Sequence, residues 1–239
     1  MITFKEYLKD NQNDIDLSIL NLENINEICT CHGHVHVLHL LLSFIESTKN
    51  LSSINYLEIG TFEGCSMSVC LQHQCKIDAI GIDCFELSGH KASYEFALKN
   101  IHKYKKEKDS VNLIKGFSSD TEIIQKVSDK KYDLIFVDGD HSRSQVLDDY
   151  KNYFPLLKEG GFMVFDDYVT EPEVRSAVNE IYNSTSQEKF KAIGCVENLL
   201  PNKCSRPDSA LKIFGKSRFD NGQMELNNEF IIQKIINEN

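Results

Sequence analysis

The chain has 239 residues, 41% of them hydrophobic and 26% charged, with a formal net charge of −10 at pH 7. That length suits one large α/β core with an N-terminal elaboration better than two independent domains, and the acidic balance disfavours a phosphate backbone, so no nucleic-acid partner is expected. No stretch approaches the roughly 20 apolar residues that span a bilayer and no leader pattern opens the chain, so a cytoplasmic protein with no membrane partner is expected, its eight cysteines reduced rather than paired.

Residues 1–50 place Phe4, Tyr7, Leu8, Ile15, Leu17, Ile19 and Leu20 among polar stretches, and Val35 to Ile45 is apolar almost all round, as in a helix packed against a core. A helical cap over the sheet is expected here. Cys29, Cys31, His32, His34, His36 and His39 are soft-metal ligand types. They lack a second half at zinc-finger spacing, and a helix would scatter the alternating histidines, so the expected role is that of hydrogen-bonded histidines beside the ligand cleft.

Ile54 to Ile59 reads as a buried strand that breaks at Gly60-Thr61-Phe62-Glu63-Gly64 into a helix from about Cys65 to Gln74. Glycines let the backbone turn sharply and approach a ligand, and the helix start offers free amides. The next strand, Ile77 to Ile82, ends in Asp83, and 83 − 60 = 23 residues is close to the ~20 at which an acidic residue accepts ribose hydroxyls. A dinucleotide dehydrogenase would open in this way. Here Phe62 replaces the second glycine of its motif, and the negative charge of Glu58 at the turn favours a cationic ligand over a pyrophosphate.

Residues 89–109 follow as an amphipathic helix with a basic end, Lys103 to Lys108, which is either solvated or a hold for an anionic acceptor. Val111 to Ile114 is a third strand, Gly116 to Asp120 its exit loop, and Thr121 to Ser128 a short helix.

Lys131 to Tyr168 organises the chain. Two buried strands run straight into acids: Leu134 to Val137 into Asp138, and Phe162 to Phe165 into Asp166 and Asp167, with His141 and a helix between them. A right-handed crossover puts both strand ends on one edge of a parallel sheet, so three carboxylates and a histidine meet in one cleft. Such acids repel one another unless a cation neutralises them. Magnesium, which takes about six oxygen ligands, would leave room for substrate oxygens, and His141 could accept the proton of a bound hydroxyl. The competing readings are helix capping by Asp166 and Asp167 before Pro172, and a turn histidine bonded to Asp138 or Asp140. Beyond this stretch come a helix from Glu171 to about Tyr182, two last strands at Phe190 to Val196 and Ala210 to Phe214, and a tail helix from Met224 to Ile236 that could dock on the domain or on a second copy in a homo-oligomer.

Leu57-Glu58-Ile59-Gly60 with Gly64, Asp83, Val137 to His141 (VDGDH) and Leu156 to Tyr168 (LLKEGGFMVFDDY) resemble the class I S-adenosylmethionine-dependent methyltransferases. Within them the chain is similar to the family-24 group that includes metal-dependent sugar O-methyltransferases of macrolide biosynthesis. The resemblance covers about Leu51 to Tyr182. It implies a Rossmann-like, seven-stranded, mostly parallel sheet with helices on both faces and the last strand antiparallel. The chain is read as a helical cap at 1–50, a methyltransferase domain at 51–218 and a helical tail at 219–239, the cap and tail resting on their apolar patterning and not on the resemblance. Glu58, Gly60, Thr61 and Gly64 would line the methionine end of S-adenosylmethionine, Asp83 its ribose, and Ser118 and Ser119 its adenine. Asp138, Asp166 and Asp167 would hold Mg2+, and His141 with Asp138 would form the catalytic pair. The expected reaction is O-methylation of a sugar or other small polyol. Metal-independent transfer to an amine or phosphate-type oxygen, and a non-catalytic nucleoside-binding module, stay open alongside it.

Overall fold

The computed structural model describes residues 2–11, 32–86, 94–184, 188–195 and 229–236. Seven strands form one sheet: β1 (Ser53–Ile59), β2 (Lys76–Asp83), β3 (Ser110–Lys115), β4 (Tyr132–Val137), β5 (Leu157–Phe165), β6 (Phe190–Gly194) and β7 (Phe230–Lys234). Their order is β3-β2-β1-β4-β5-β7-β6, parallel throughout except for β7, which runs antiparallel to both of its neighbours. The helices are α1 (Phe4–Asp10), α2 (His32–Lys49), α3 (Cys65–Cys70), α4 (Tyr94–Tyr104), α5 (Thr121–Val127), α6 (Arg143–Tyr153) and α7 (Pro172–Ser184).

Apolar residues on both sides of each central strand explain why the sheet is buried on two faces. Leu134 and Phe136 of β4 join one core with α1, α2, α3 and α4, while Ile135 and Val137 join the other with α5, α6 and α7. The N-terminal helices are therefore a full layer of the core. Phe4 and Phe44 meet edge to face at 5.4 Å, and both rings lie against Phe162 of β5. A capping box fixes the start of α1: the Glu6 carboxylate accepts the Thr3 amide at 2.7 Å, and the Thr3 hydroxyl oxygen accepts the Glu6 amide.

The expected tail helix at 224–236 is corrected in its described part. Phe230–Lys234 is the seventh strand, inserted between β5 and β6, so the domain reaches past 218 and this segment docks on the sheet. Ile231 packs into one core and Ile232 into the other. A strand buried on both faces has no polar alternation, so its apolar run cannot be told from a helix by period alone. The strand expected at Ala210 to Phe214 lies outside the described residues. Strand β6 ends at Gly194, and the helix expected to reach Gln74 stops at Cys70. The basic segment 103–108 leads into the N-terminal end of β3, the sheet edge opposite the acids. There Lys106 and Lys108 donate to the carbonyls of Leu71 and Gln74, and Lys106 pairs with Asp109 at 2.8 Å. That placement removes it as a hold for an acceptor at the acidic edge.

Of the Cys/His tract, His39 is described to the side chain. It is buried edge to face against His73, with ring centroids 5.2 Å apart. Burial pulls His39 down to about 3 and His73 down to about 4. The His73 Nδ1 accepts the Cys75 amide, so its Nε2 carries the hydrogen and donates to Ser43 Oγ at 3.1 Å. A histidine held neutral below its unfolded value loses stability as pH falls from about 6.5 toward 4, because the unfolded chain takes up the proton first. His39→Phe is expected to remove about 2 kcal/mol of the difference in unfolding free energy between pH 7 and pH 5, read from urea midpoints of wild type and variant at both pH values.

Candidate functional site

The strand order turns back between β1 and β4: the chain first builds outward through β2 and β3, then returns to add β4 and β5 on the other side of β1. Ligands of open α/β sheets bind beyond the carboxyl ends at such a reversal. There the Asp138 amide donates to the Ile59 carbonyl at 2.8 Å, and the Asp166 amide to the Val137 carbonyl at 3.0 Å. The exits of β1, β4 and β5 are thus laced together, and the acids after β4 and β5 are held side by side.

Asp138, His141 and Asp167 converge, each offering a ligand atom within 4.8 Å of the others. His141 Nε2 lies 3.3 Å from Asp167 Oδ2 and 3.7 Å from Asp138 Oδ1. The hydrogen bond to Asp138, aided by the charges of Asp167 and Glu171 and opposed by partial burial, lifts the imidazole to about 9. The two acids therefore sit around a cation, in this state the imidazolium itself. Asp167 takes a left-handed φ of 57°, unusual for a residue with a side chain, and the Thr170 hydroxyl donates to its Oδ1 at 2.6 Å. Oδ2 is left facing His141. Asp166 stands outside this trio, buried, with Oδ1 accepting the Asp167 amide at 2.8 Å. Asp140 accepts the Ser142 amide at 2.7 Å and so fixes the turn that launches α6.

The β1 exit is shaped by close packing. Gly60 has φ +88°, and a Cβ there would run into the Asp138 carbonyl oxygen and lie 2.8 Å from Gly139 Cα. At Gly64 a Cβ would press on Ile101 of α4 at 2.8 Å. Both glycines thus have a structural cause beside any ligand. Asp83 ends β2 half-buried, with Oδ2 accepting the Phe62 amide at 2.7 Å and Oδ1 the Phe85 amide at 2.6 Å, while its carbonyl accepts from Gly116 at 2.9 Å. It ties the exits of β1, β2 and β3 together, and each carboxylate oxygen has a second lone pair beyond the one that accepts its amide.

Two of the expected cofactor residues are turned inward. The Glu58 carboxylate is fully buried on the α2/α3 side, where the Tyr56 hydroxyl donates to it. Thr61 is buried with its hydroxyl against Gly81, so what it offers a ligand is backbone. At the β3 exit Ser118 is half-buried and Ser119 exposed. The residues that orient these groups, Thr170 for Asp167 and Gln145 and Tyr153 for Ser118, carry no sequence signal beyond their polarity.

A methyltransferase-domain family model matches residues 57–168. An uncharacterised protein of Acanthamoeba polyphaga mimivirus is 32% identical over 216 residues, 86% of this chain and 89% of that one. The chain belongs to the class I S-adenosylmethionine-dependent methyltransferases. Solved methyltransferases share the fold. The O-methyltransferase from Bacillus cereus, crystallised with S-adenosylhomocysteine, aligns with a TM-score of 0.56 at 13% identity over 97% of this chain and 96% of its own. The O-methyltransferase NovP aligns with a TM-score of 0.61 at 14% identity over 95% of this chain and 100% of its own. In this methyltransferase the matched segment runs from β1 through β5 and so contains the whole switch point. Among the described residues no helix is long and apolar enough to cross a membrane.

Proposed function

We infer that this methyltransferase transfers the methyl group to a hydroxyl of a sugar or other small polyol, with a divalent cation, magnesium by its donor set, held at Asp138 and Asp167. The observation that carries this reading is the convergence of Asp138, His141 and Asp167 beside the β1 turn. Two carboxylates already arranged around a positive charge suit a hard divalent ion, with buried Asp166 adjacent as a further oxygen donor. O-methyltransferases among the solved relatives of the fold support transfer to oxygen.

When bound, the ion supplies Lewis acidity that makes an acceptor hydroxyl easier to deprotonate. The rest falls to this chain's own groups. Asp138 and Asp167 hold the charged centre at the strand ends, and Thr170 keeps Asp167 turned toward it. Asp83, the β1 turn and the Ser118 loop position the methyl donor, so the sulfonium methyl and the acceptor oxygen face each other within one cleft, where orientation supplies much of the rate. With Asp138 and Asp167 neutralised, His141 would lose the charges that keep it protonated and, as a neutral imidazole 41% exposed at the cleft, would accept the hydroxyl proton and release it to solvent.

A metal-independent transfer is the second reading, favoured by the fact that His141 itself bridges the two acids. Methyl transfer from labelled S-adenosylmethionine to a panel of sugars and polyols, in excess chelator and after magnesium is restored, separates them. Activity lost with chelator and recovered with magnesium is expected; undiminished turnover in chelator would remove the cation from the reaction.

A further inference from the structure

Helix α6 presents Gln145, Asp149 and Tyr153 at four-residue intervals, hence on one face. Gln145 and Tyr153 reach Ser118 at the exit of β3, and Asp149 holds Gln145 in place. The Gln145 amide donates to Ser118 Oγ at 3.0 Å and to Asp149 Oδ1 at 3.1 Å, and the Tyr153 hydroxyl donates to the Ser118 carbonyl at 2.7 Å. One serine is thus gripped by main chain and side chain from a single helix.

Asp149 is fully buried, and its Oδ2 has no hydrogen-bond partner among the described residues. Burial pushes its carboxyl up to about 6, against the pull of Ser118 and Gln145 and with the charges of Asp148 and Asp140. An incompletely bonded acid in the interior is a standing cost to the fold. An apolar residue would avoid it, as Val146 does on the same helix. The polar group has its use in the loop it holds. The same helix begins at Ser142, directly after His141, with the turn fixed by Asp140. One rigid element therefore connects the Ser118 loop to the turn that carries Asp138 and His141.

We propose that Asp149, acting with Gln145 and Tyr153, is a positioning residue for the methyl donor: it locks the Ser118–Ser119 loop in the place where that loop meets the adenosyl group and keys it to the catalytic turn. This rests on the assignment of the β3 exit to the donor's adenosyl end.

The test is calorimetric titration of S-adenosylhomocysteine into the full chain, wild type, Tyr153→Phe, Asp149→Ala and Asp149→Asn, with steady-state kinetics in S-adenosylmethionine. Tyr153→Phe and Asp149→Ala are expected to weaken binding about tenfold and to raise KM for the donor while leaving kcat near wild type. Asp149→Asn, which keeps an acceptor oxygen for Gln145, is expected to recover most of the affinity, a rescue that bulk destabilisation would not produce. Tyr153→Phe loses a single hydroxyl, so it decides the matter even where Asp149→Ala does not fold. Folded variants that bind like a binding-competent wild type overturn this proposal alone; a wild type that does not bind S-adenosylhomocysteine overturns the donor assignment and this proposal with it.

Discussion

His141→Ala is expected to lower kcat for methyl transfer by about 10²–10⁴-fold, the range for loss of a positioned general base, while leaving S-adenosylhomocysteine affinity within about threefold, a difference below ~1 kcal/mol. The imidazole touches the acids and not the donor-side loops: its contacts are Asp167 at 3.3 Å and Asp138 at 3.7 Å, and it is part-exposed at the mouth of the cleft. Removing it takes nothing from either core, so the fold is expected to stay intact by circular dichroism and thermal melting. Single-turnover kinetics against calorimetric donor binding reads the separation. A variant that turns over at the wild-type rate takes His141 out of the chemistry, and one that loses donor binding makes it a binding residue instead.

Gly60→Ala is expected to destabilise the protein by about 3 kcal/mol or more, the sum of left-handed backbone strain and an overpacked contact with no room to relax. The new methyl would meet the Asp138 carbonyl oxygen and Gly139, both main chain at the seam of β1 and β4. Relief requires the two strand exits to part, which would also pull Asp138 from its partners. Gly194→Ala supplies the control. Its φ of +76° imposes similar strain, but among the described residues nothing lies within 4 Å of the added carbon, so a cost of about 1–2 kcal/mol is expected. Urea unfolding of both variants gives the comparison; equal losses would mean that the seam yields freely and that Gly60 is there for its dihedral angle alone.

The central half of the chain was legible because its physics is local. Short apolar runs ending in Asp83, Asp138 and Asp166 announced parallel strands and a common carboxyl edge, and the lacing of Ile59, Asp138, Val137 and Asp166 follows from that order. The third ligand group was less legible. The two consecutive acids Asp166 and Asp167 read as equivalent, yet a left-handed turn at Asp167 and the Thr170 hydroxyl send Asp167 toward His141, while Asp166 is drawn onto the Asp167 amide. Side-chain direction after a strand end depends on one dihedral angle, which composition does not report. Glu58 illustrates the same limit. Being on the strand before the turn, it follows Tyr56 by two residues onto the buried α2/α3 face and finds the tyrosine hydroxyl there. The tail failed for a long-range reason: Phe230–Lys234 becomes a strand because β5 and β6 leave an antiparallel slot for it, a fact about partners far away in sequence.

Titration of magnesium into the S-adenosylhomocysteine-saturated protein bears most directly on the cation between Asp138 and Asp167. Wild type is expected to bind a single ion with release of a proton, detected as a dependence of the heat on buffer ionisation, as the ion displaces the imidazolium of His141 from the two acids. Asp138→Asn and Asp167→Asn are expected to lose that binding. Equal binding by the variants, or a wild type that takes up no ion and still transfers methyl groups, would contradict the metal-assisted site.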